Sequence, residues 1–364
     1  MGKVINIVCS YSSIYGGNFI PSILFLANKI LLGKMSDVIF TFPLEAKERK
    51  WVKFLENKRF KIFFIDFKNN FLKNVRNINK KNKVTDVYSH FVSGFRIKML
   101  YPFSKKIKLF IHVHSDFSGG IEESKFTKFK RFIENKVLRK DATYIFVSKN
   151  MEHQYPNKKN IYLPNALAID RIPCNKIDIK LFMQKYNIKE TDTIFLHFGW
   201  SPFVKGSDII IKSFTKNIKE GDNCKLIVVY GKNNGYEKLL SFLSRRNVSF
   251  DKNDRRLIFI PPTEDVFSLF KISDIFVSSS RSEGFSYSIL ESTYFNLRVF
   301  SSDIPGVQWA HKYDNVYFFK NYDELSELIV KEKKFKKKKK VNKNISEDFS
   351  LQKWTNNLIK ILGL

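Results

Sequence analysis

Short runs of β-branched and aromatic residues alternate with helical patterns along almost the whole chain. This alternation constrains the fold more than any single motif does, because strand, crossover helix, strand is the signature of βαβ units and mainly parallel sheets. In the first half the strand-like runs fall at residues 4–9, 37–42, 61–65, 84–88, 108–112 and 142–147, with helical patterns such as 20–32 and 126–138 between them. The turn-rich segment Leu163-Pro164-Asn165-Ala166 then interrupts the series as a connector. The series resumes with runs at 193–198, 225–229, 256–260, 274–277 and 298–300, and with helices at 207–218, 236–245, 266–272, 288–295 and 323–330. Near the end, Leu351, Trp354, Leu358 and Leu362 recur at helical spacing.

The expectation is an α/β protein of two Rossmann-like, doubly wound domains, residues 1–165 and 166–349, with a terminal helix at 350–364 docked back toward the first domain. A chain of 364 residues is too long for one ordinary core and suits two. Ligands of open α/β sheets bind beyond the carboxyl ends of the strands, so the site is expected in a cleft between the two halves.

Composition narrows the partners. The formal charge of +29 draws phosphate-rich molecules, which admits nucleic acid, anionic lipid or a phosphorylated small substrate. Yet the cations are dispersed and no helix-turn-helix, zinc-finger or RNA-binding signature is present, so nucleic acid is not the expected partner. The basic stretches 47–59 and 68–83 instead point to anionic headgroups, and the lysine run 331–340 is expected to be a solvated surface. Cys9, Cys174 and Cys224 are far apart and form no metal-ligand spacing, which fits a reducing cytoplasm. The start of the chain has no signal-peptide layout, and the longest apolar stretch, 19–32, is broken by Asn28 and Lys29 and is too short to span a bilayer.

The most informative window runs from Ser278 to Ser292. A buried strand ends at Val277, a loop of small residues follows, and a helix begins near Ser286, so free backbone N–H groups converge on an anion site. Glu283 stands at the mouth of that loop and Glu291 lies eight residues further, about two turns into the helix. One carboxylate is placed to accept hydrogen bonds from sugar hydroxyls, the other to hold a ribose. In a second window, His197-Phe198-Gly199-Trp200-Ser201-Pro202-Phe203-Val204-Lys205-Gly206, a strand ends in glycine and the loop brings Lys205 to a helix that Ser207 or Asp208 can cap. A lysine there can neutralise a leaving diphosphate.

The first half contributes Gly16 and Gly17, which let backbone approach a ligand or turn sharply. It also has His112 and His114, which share one face at the end of a strand, and His90, which ends the strand before. A zinc site would need a third ligand beside His112 and His114, and none is apparent nearby in sequence, so no metal is expected.

These windows resemble the retaining GT-B glycosyltransferases of family four. The donor site of that family has a Glu, seven residues and a second Glu, matched here by Glu283 and Glu291 with Gly284 and Phe285 in the usual order. Lys205 and Gly206 match its Lys-Gly loop after Gly199, while Trp200 stands where the family has Arg. Either Trp200 packs the donor pocket while Arg281 or another cation substitutes for that Arg, or catalysis is weaker. Asn296 and Arg298 stand where the family tends to have Gly and Pro. The resemblance implies that 166–349 binds a UDP- or GDP-linked sugar and that 1–165 faces a glycan or lipid-linked acceptor. It further implies retention of configuration without a metal, His114 beside the reacting sugar, and a role in bacterial surface polysaccharide synthesis at the inner face of the membrane. By the same resemblance Lys205, Glu283 and His114 carry catalysis, Gly199, Trp200, Arg281, Ser286 and Glu291 line the donor, and Gly16, Gly17 and His90 lie on the acceptor side. The rival expectations are a GT-B enzyme that epimerises a nucleotide sugar and a basic nucleic-acid-binding protein.

Overall fold

The computed structural model describes residues 2–13, 19–33, 37–114, 125–155, 159–169, 176–251, 253–337 and 340–364. They fall into two units, one holding the described residues up to 169 and from 349 onward, the other those from 176 to 348.

The first unit is built on seven parallel strands: β1 (Val4–Cys9), β2 (Asp37–Pro43), β3 (Lys61–Ile65), β4 (Asp86–His90), β5 (Lys108–Val113), β6 (Thr143–Phe146) and β7 (Asn160–Tyr162). Their order is β3-β2-β1-β4-β5-β6-β7. β1 is apolar on both faces except at Asn6, as a strand covered on both sides requires. A buried amide must be hydrogen-bonded. Asn6 donates to the Asn79 side-chain oxygen at 2.7 Å and accepts from the Thr41 hydroxyl at 2.9 Å.

Ile5, Ile7 and Cys9 belong to a core shared with the helix Phe19–Leu32 and with Trp354, Leu358 and Leu362 of the terminal helix Leu351–Leu362. That helix starts where the Ser350 hydroxyl accepts the Lys353 N–H at 3.2 Å and stops at Gly363, whose φ of +66° suits glycine. Its start is anchored by the Leu167 N–H, which donates to the Phe349 carbonyl at 2.7 Å.

The second unit has six parallel strands: β8 (Thr193–Gly199), β9 (Cys224–Tyr230), β10 (Leu257–Ile260), β11 (Ile275–Ser278), β12 (Arg298–Ser302) and β13 (Val316–Phe319). Their order is β10-β9-β8-β11-β12-β13. Phe195, Ile210, Phe214, Leu226, Val277 and Phe300 lie in its core. In each sheet the winding reverses once, between β1 and β4 and between β8 and β11. At such a point the connecting loops diverge and leave a crevice at the carboxyl ends of the strands.

Three local features differ from the sequence expectation. β4 begins and ends two residues later than the 84–88 run, which takes His90 into the strand. The short edge strands β7 and β13 had no counterpart in the sequence pattern. The lysine run is not simply solvated: Lys333 donates to Asp222 at 2.8 Å, Lys336 to Asp274 at 2.8 Å and to the Asp192 carbonyl at 2.7 Å, and Lys337 to the Phe270 carbonyl. Asp192, Asp222 and Asp274 sit just before β8, β9 and β11, at the amino ends of the strands, so the lysines answer acids there. Burial pushes Lys337 down to about 8. No helix among the described residues is long and apolar enough to cross a membrane.

Candidate functional site

The two informative windows of the second unit meet because β8 and β11 are neighbours at the winding reversal. After Gly199 the chain makes a short helix, Pro202–Lys205, and leaves it through Gly206 at φ +64°. A Cβ at 206 would lie 1.9 Å from the Ser279 carbonyl oxygen, so glycine is required both for the turn and for the close approach of the two loops. The Ser279 hydroxyl donates to the carbonyls of Lys205 at 3.1 Å and Gly206 at 2.8 Å, and the Arg281 N–H donates to the Val204 carbonyl at 2.7 Å.

Lys205 is thereby fixed beside Glu283. Its ammonium donates to the Glu283 carboxylate at 2.5 Å, and the Ser280 hydroxyl donates to the same oxygen at 2.7 Å. Both side chains are about one-tenth exposed. The ammonium also lies 5.1 Å from the centre of the Trp200 ring, which is largely exposed. Behind Glu283, a Cβ on Gly306 would come within 1.9 Å of the Glu283 carbonyl oxygen, so the loop after β12 presses on the Glu283 backbone.

The Arg281 guanidinium donates to both carboxylate oxygens of Asp208, at 2.9 and 2.7 Å, and to the Phe203 carbonyl at 2.7 Å. Burial raises the Asp208 carboxyl, but Arg281 and then Arg246 outweigh it and hold the group below the ordinary carboxylate range. Arg281 thus staples one loop to the other.

The helix Tyr287–Tyr294 starts at Ser286, whose hydroxyl accepts the Ile289 N–H at 3.4 Å. Glu291 is buried on it, and Phe285 stacks on Trp309 with ring centres 4.8 Å apart. Beneath the site, His197 donates through Nδ1 to the Val277 carbonyl at 3.0 Å and accepts through Nε2 from the Ser207 hydroxyl at 3.0 Å. Burial pushes its pKa down to about 4, which keeps it a neutral strut between β8, β11 and the following helix.

In the first unit, parallel register sets His90 opposite His112, and alternation puts Tyr88 on the same face. The Tyr88 hydroxyl bonds to Nε2 of His90 and, at 2.9 Å, to Nδ1 of His112, while Nδ1 of His90 and Nε2 of His114 are 3.0 Å apart. One ring nitrogen of each histidine lies within 4.8 Å of the others. The sequence argument against a metal was the lack of a third ligand near His112 and His114; the fold supplies it as His90. Tyr88 was missed as well, although its i, i+2 relation to His90 was the signal that could have found it.

Burial lowers all three pKa values, His114 to about 3. Repulsion from His114 adds to this at His90 and at His112, and at His112 the Leu163 backbone acts weakly the other way. The rings are therefore neutral at ordinary pH. His112 and His114 also line a pocket of about 300 Å³ together with Glu134, Lys130 and Tyr155. Gly16 and Gly17 lie outside the described residues.

Residues 178–348 match the family described as glycosyl transferases group 1. The O-antigen biosynthesis glycosyltransferase WclY of Escherichia coli is 29% identical over 166 residues, covering 44% of this chain and 43% of its own length. The match thus spans less than half of that relative. Among solved structures, HepE of Anabaena in complex with UDP and glucose superposes with a TM-score of 0.75 at 14% identity over 99% of both chains. A glycosyltransferase from Rickettsia africae does so with 0.71 at 17% identity, over 99% of this chain and 97% of its own. Likenesses at these identities establish the fold. Residues 178–348 thus carry the likeness to the glycosyl transferases group 1, and the two parallel sheets of the chain carry the GT-B glycosyltransferase fold.

Proposed function

We propose that the chain moves a sugar from a nucleotide-diphosphate sugar to a glycan or lipid-linked acceptor, with retention of configuration, in the synthesis of a bacterial surface polysaccharide. The observation that carries this reading is the Lys205–Glu283 pair, held at 2.5 Å on the approach to the helix Tyr287–Tyr294 and at the winding reversal of the second sheet.

In this mechanism the acceptor hydroxyl attacks the anomeric carbon on the face from which the diphosphate leaves. The new C–O bond forms as the bond to the phosphate oxygen breaks, and the hydroxyl proton passes to the departing phosphate. Lys205 and the N–H groups at the start of the helix stabilise the growing diphosphate charge. Glu283 holds sugar hydroxyls, Glu291 the ribose, and His114 lines the acceptor side. Trp200 removes one phosphate contact; Arg281 is held by both Asp208 oxygens and the Phe203 carbonyl, whereas the Lys205 ammonium gives one donor to Glu283 and has others to offer a phosphate. No metal takes part in the transfer step. UDP is the favoured nucleotide, supported by its presence in the HepE complex. The O-antigen role of WclY supports a surface glycan as product. The protein works on the cytoplasmic side, touching acidic lipid through its basic stretches; sedimentation with anionic liposomes at low salt is the expected outcome.

Incubation with UDP- and GDP-sugars and scoring of thermal stabilisation identifies the donor. Lys205→Met and Glu283→Gln are then expected to lose about 10²–10³-fold in transfer while keeping the wild-type melting temperature within a few degrees. Full transfer by either variant sinks its assigned role, and donor turnover without any acceptor points to epimerisation.

A further inference from the structure

Two buried polar atoms beside the histidine cluster have no hydrogen-bond partner among the described residues: Nε2 of His112 and Nε1 of Trp354. The Trp354 ring centre is 6.5 Å from those of both His90 and His112. Buried polar atoms are nearly always paired, so the His112 nitrogen calls for an occupant, while the Trp354 N–H, a donor only, calls for an acceptor such as water. The Leu163 backbone acts weakly on the His112 ring in the sense of a hydrogen-bond acceptor, but not at the geometry of a full hydrogen bond.

The Tyr88 hydroxyl indicates what the occupant is. Its oxygen contacts Nε2 of His90 and Nδ1 of His112, and a hydroxyl oxygen has lone pairs enough to accept an N–H from each. With both rings donating to that oxygen, the proton-free nitrogens are Nδ1 of His90 and Nε2 of His112. Nδ1 of His90 already lies 3.0 Å from Nε2 of His114. A tetrahedral zinc with nitrogens about 2.0–2.1 Å away holds them roughly 3.3–3.4 Å apart, and rings with nitrogens within 4.8 Å of one another reach that spacing by small rotations. An oxygen that holds the far nitrogens of two ligands is the arrangement that orients metal-bound imidazoles.

We propose that His90, His112 and His114 bind a divalent transition metal, zinc in the first instance, with Tyr88 orienting two of the three rings. Three histidines would leave one coordination position for water, and His112 and His114 also border a pocket that could supply it. The site lies at the carboxyl ends of β4 and β5 and draws on no residue of the second unit, so the proposal stands whether or not the donor reading does.

The test uses full-length, tag-free protein stripped with a chelator and dialysed against Zn²⁺ or Co²⁺. Retention of about one equivalent per chain by elemental analysis, with the intense visible bands of four-coordinate Co²⁺ and a raised melting temperature, is expected. His114→Gln, at the half-buried rim, abolishes retention with its circular dichroism unchanged, and Tyr88→Phe weakens binding about 10–100-fold. Wild-type protein that retains no more metal than His114→Gln, or whose Co²⁺ spectrum is that of the aqua ion, overturns the proposal and leaves a buried water as the partner of the orphaned nitrogens.

Discussion

In the second unit the joins between the loops after β8 and β11 include close main-chain ones, the Arg281 N–H on the Val204 carbonyl, the Ser279 hydroxyl on two carbonyls and Gly206 pressed against Ser279, beside the Lys205–Glu283 and Arg281–Asp208 pairs. In the first unit the chemistry at β4 and β5 is joined through side chains, with Tyr88, His90, His112 and His114 bonded in a chain inside the core. The polar interior of the first unit goes further. Lys98 is fully buried, donates to the Glu134 carbonyl at 2.9 Å and lies 5.0 Å from the Tyr144 ring centre, while the Tyr144 hydroxyl donates to the Glu134 carboxylate at 2.5 Å. Main-chain joins fix a site tightly and tolerate no added atom. Side-chain networks tolerate exchange of an atom but depend on every partner being present.

The sharpest way to break this contrast is Gly206→Ala. A methyl 1.9 Å from a carbonyl oxygen, at positive φ, is expected to cost about 3 kcal/mol or more, seen as a large drop in melting temperature. Arg281→Ala removes the staple on Asp208 and is expected to cost about 1.5–3 kcal/mol by chemical denaturation. If it instead leaves stability intact and abolishes only nucleotide binding, Arg281 is a ligand contact and the staple is incidental.

In the first unit Tyr144→Phe removes one donor from the Glu134 carboxylate and leaves the Phe95 backbone, for an expected loss of about 1–2 kcal/mol. The smallest effect is a pH slope. Burial, the dominant influence on Glu134, raises its pKa over the opposing hydrogen bond from Tyr144 and the charge of Lys98. A carboxyl raised in the folded state is stability-neutral below its unfolded pKa and increasingly unfavourable as pH rises through its folded value. Glu134→Gln should therefore gain on the wild type as pH rises from the ordinary carboxyl range and match it below; a gap that does not change with pH removes burial as the cause.

The donor windows were legible because their chemistry is local. Gly199, Lys205 and Gly206 lie within eight residues, Glu283 to Ser286 within four, and the strand-then-helix pattern reveals the loop in each and the cap at Ser286, whereas the helix after Lys205 starts from Gly206 without a side-chain cap from Ser207 or Asp208. The edge strands β7 and β13 escaped notice because three or four residues of half-buried β-structure carry no period to detect. The lysine run looked like solvent-facing charge because the acids that answer Lys333 and Lys336 stand more than fifty residues away.

From the order of residues alone came the alternation of strands and helices, the helix start at Ser286 and the acid–lysine chemistry, since each depends on neighbours within a few residues; the turn at Gly206, in place of a Ser207 or Asp208 cap, came only from the structure. Only folding decided that Lys205 touches Glu283, that Arg281 is occupied by Asp208 and that His90 joins His112 and His114. Those contacts depend on which strands lie side by side and in what register, and β8–β11 and β4–β5 adjacency is set by the packing of whole sheets and their helices.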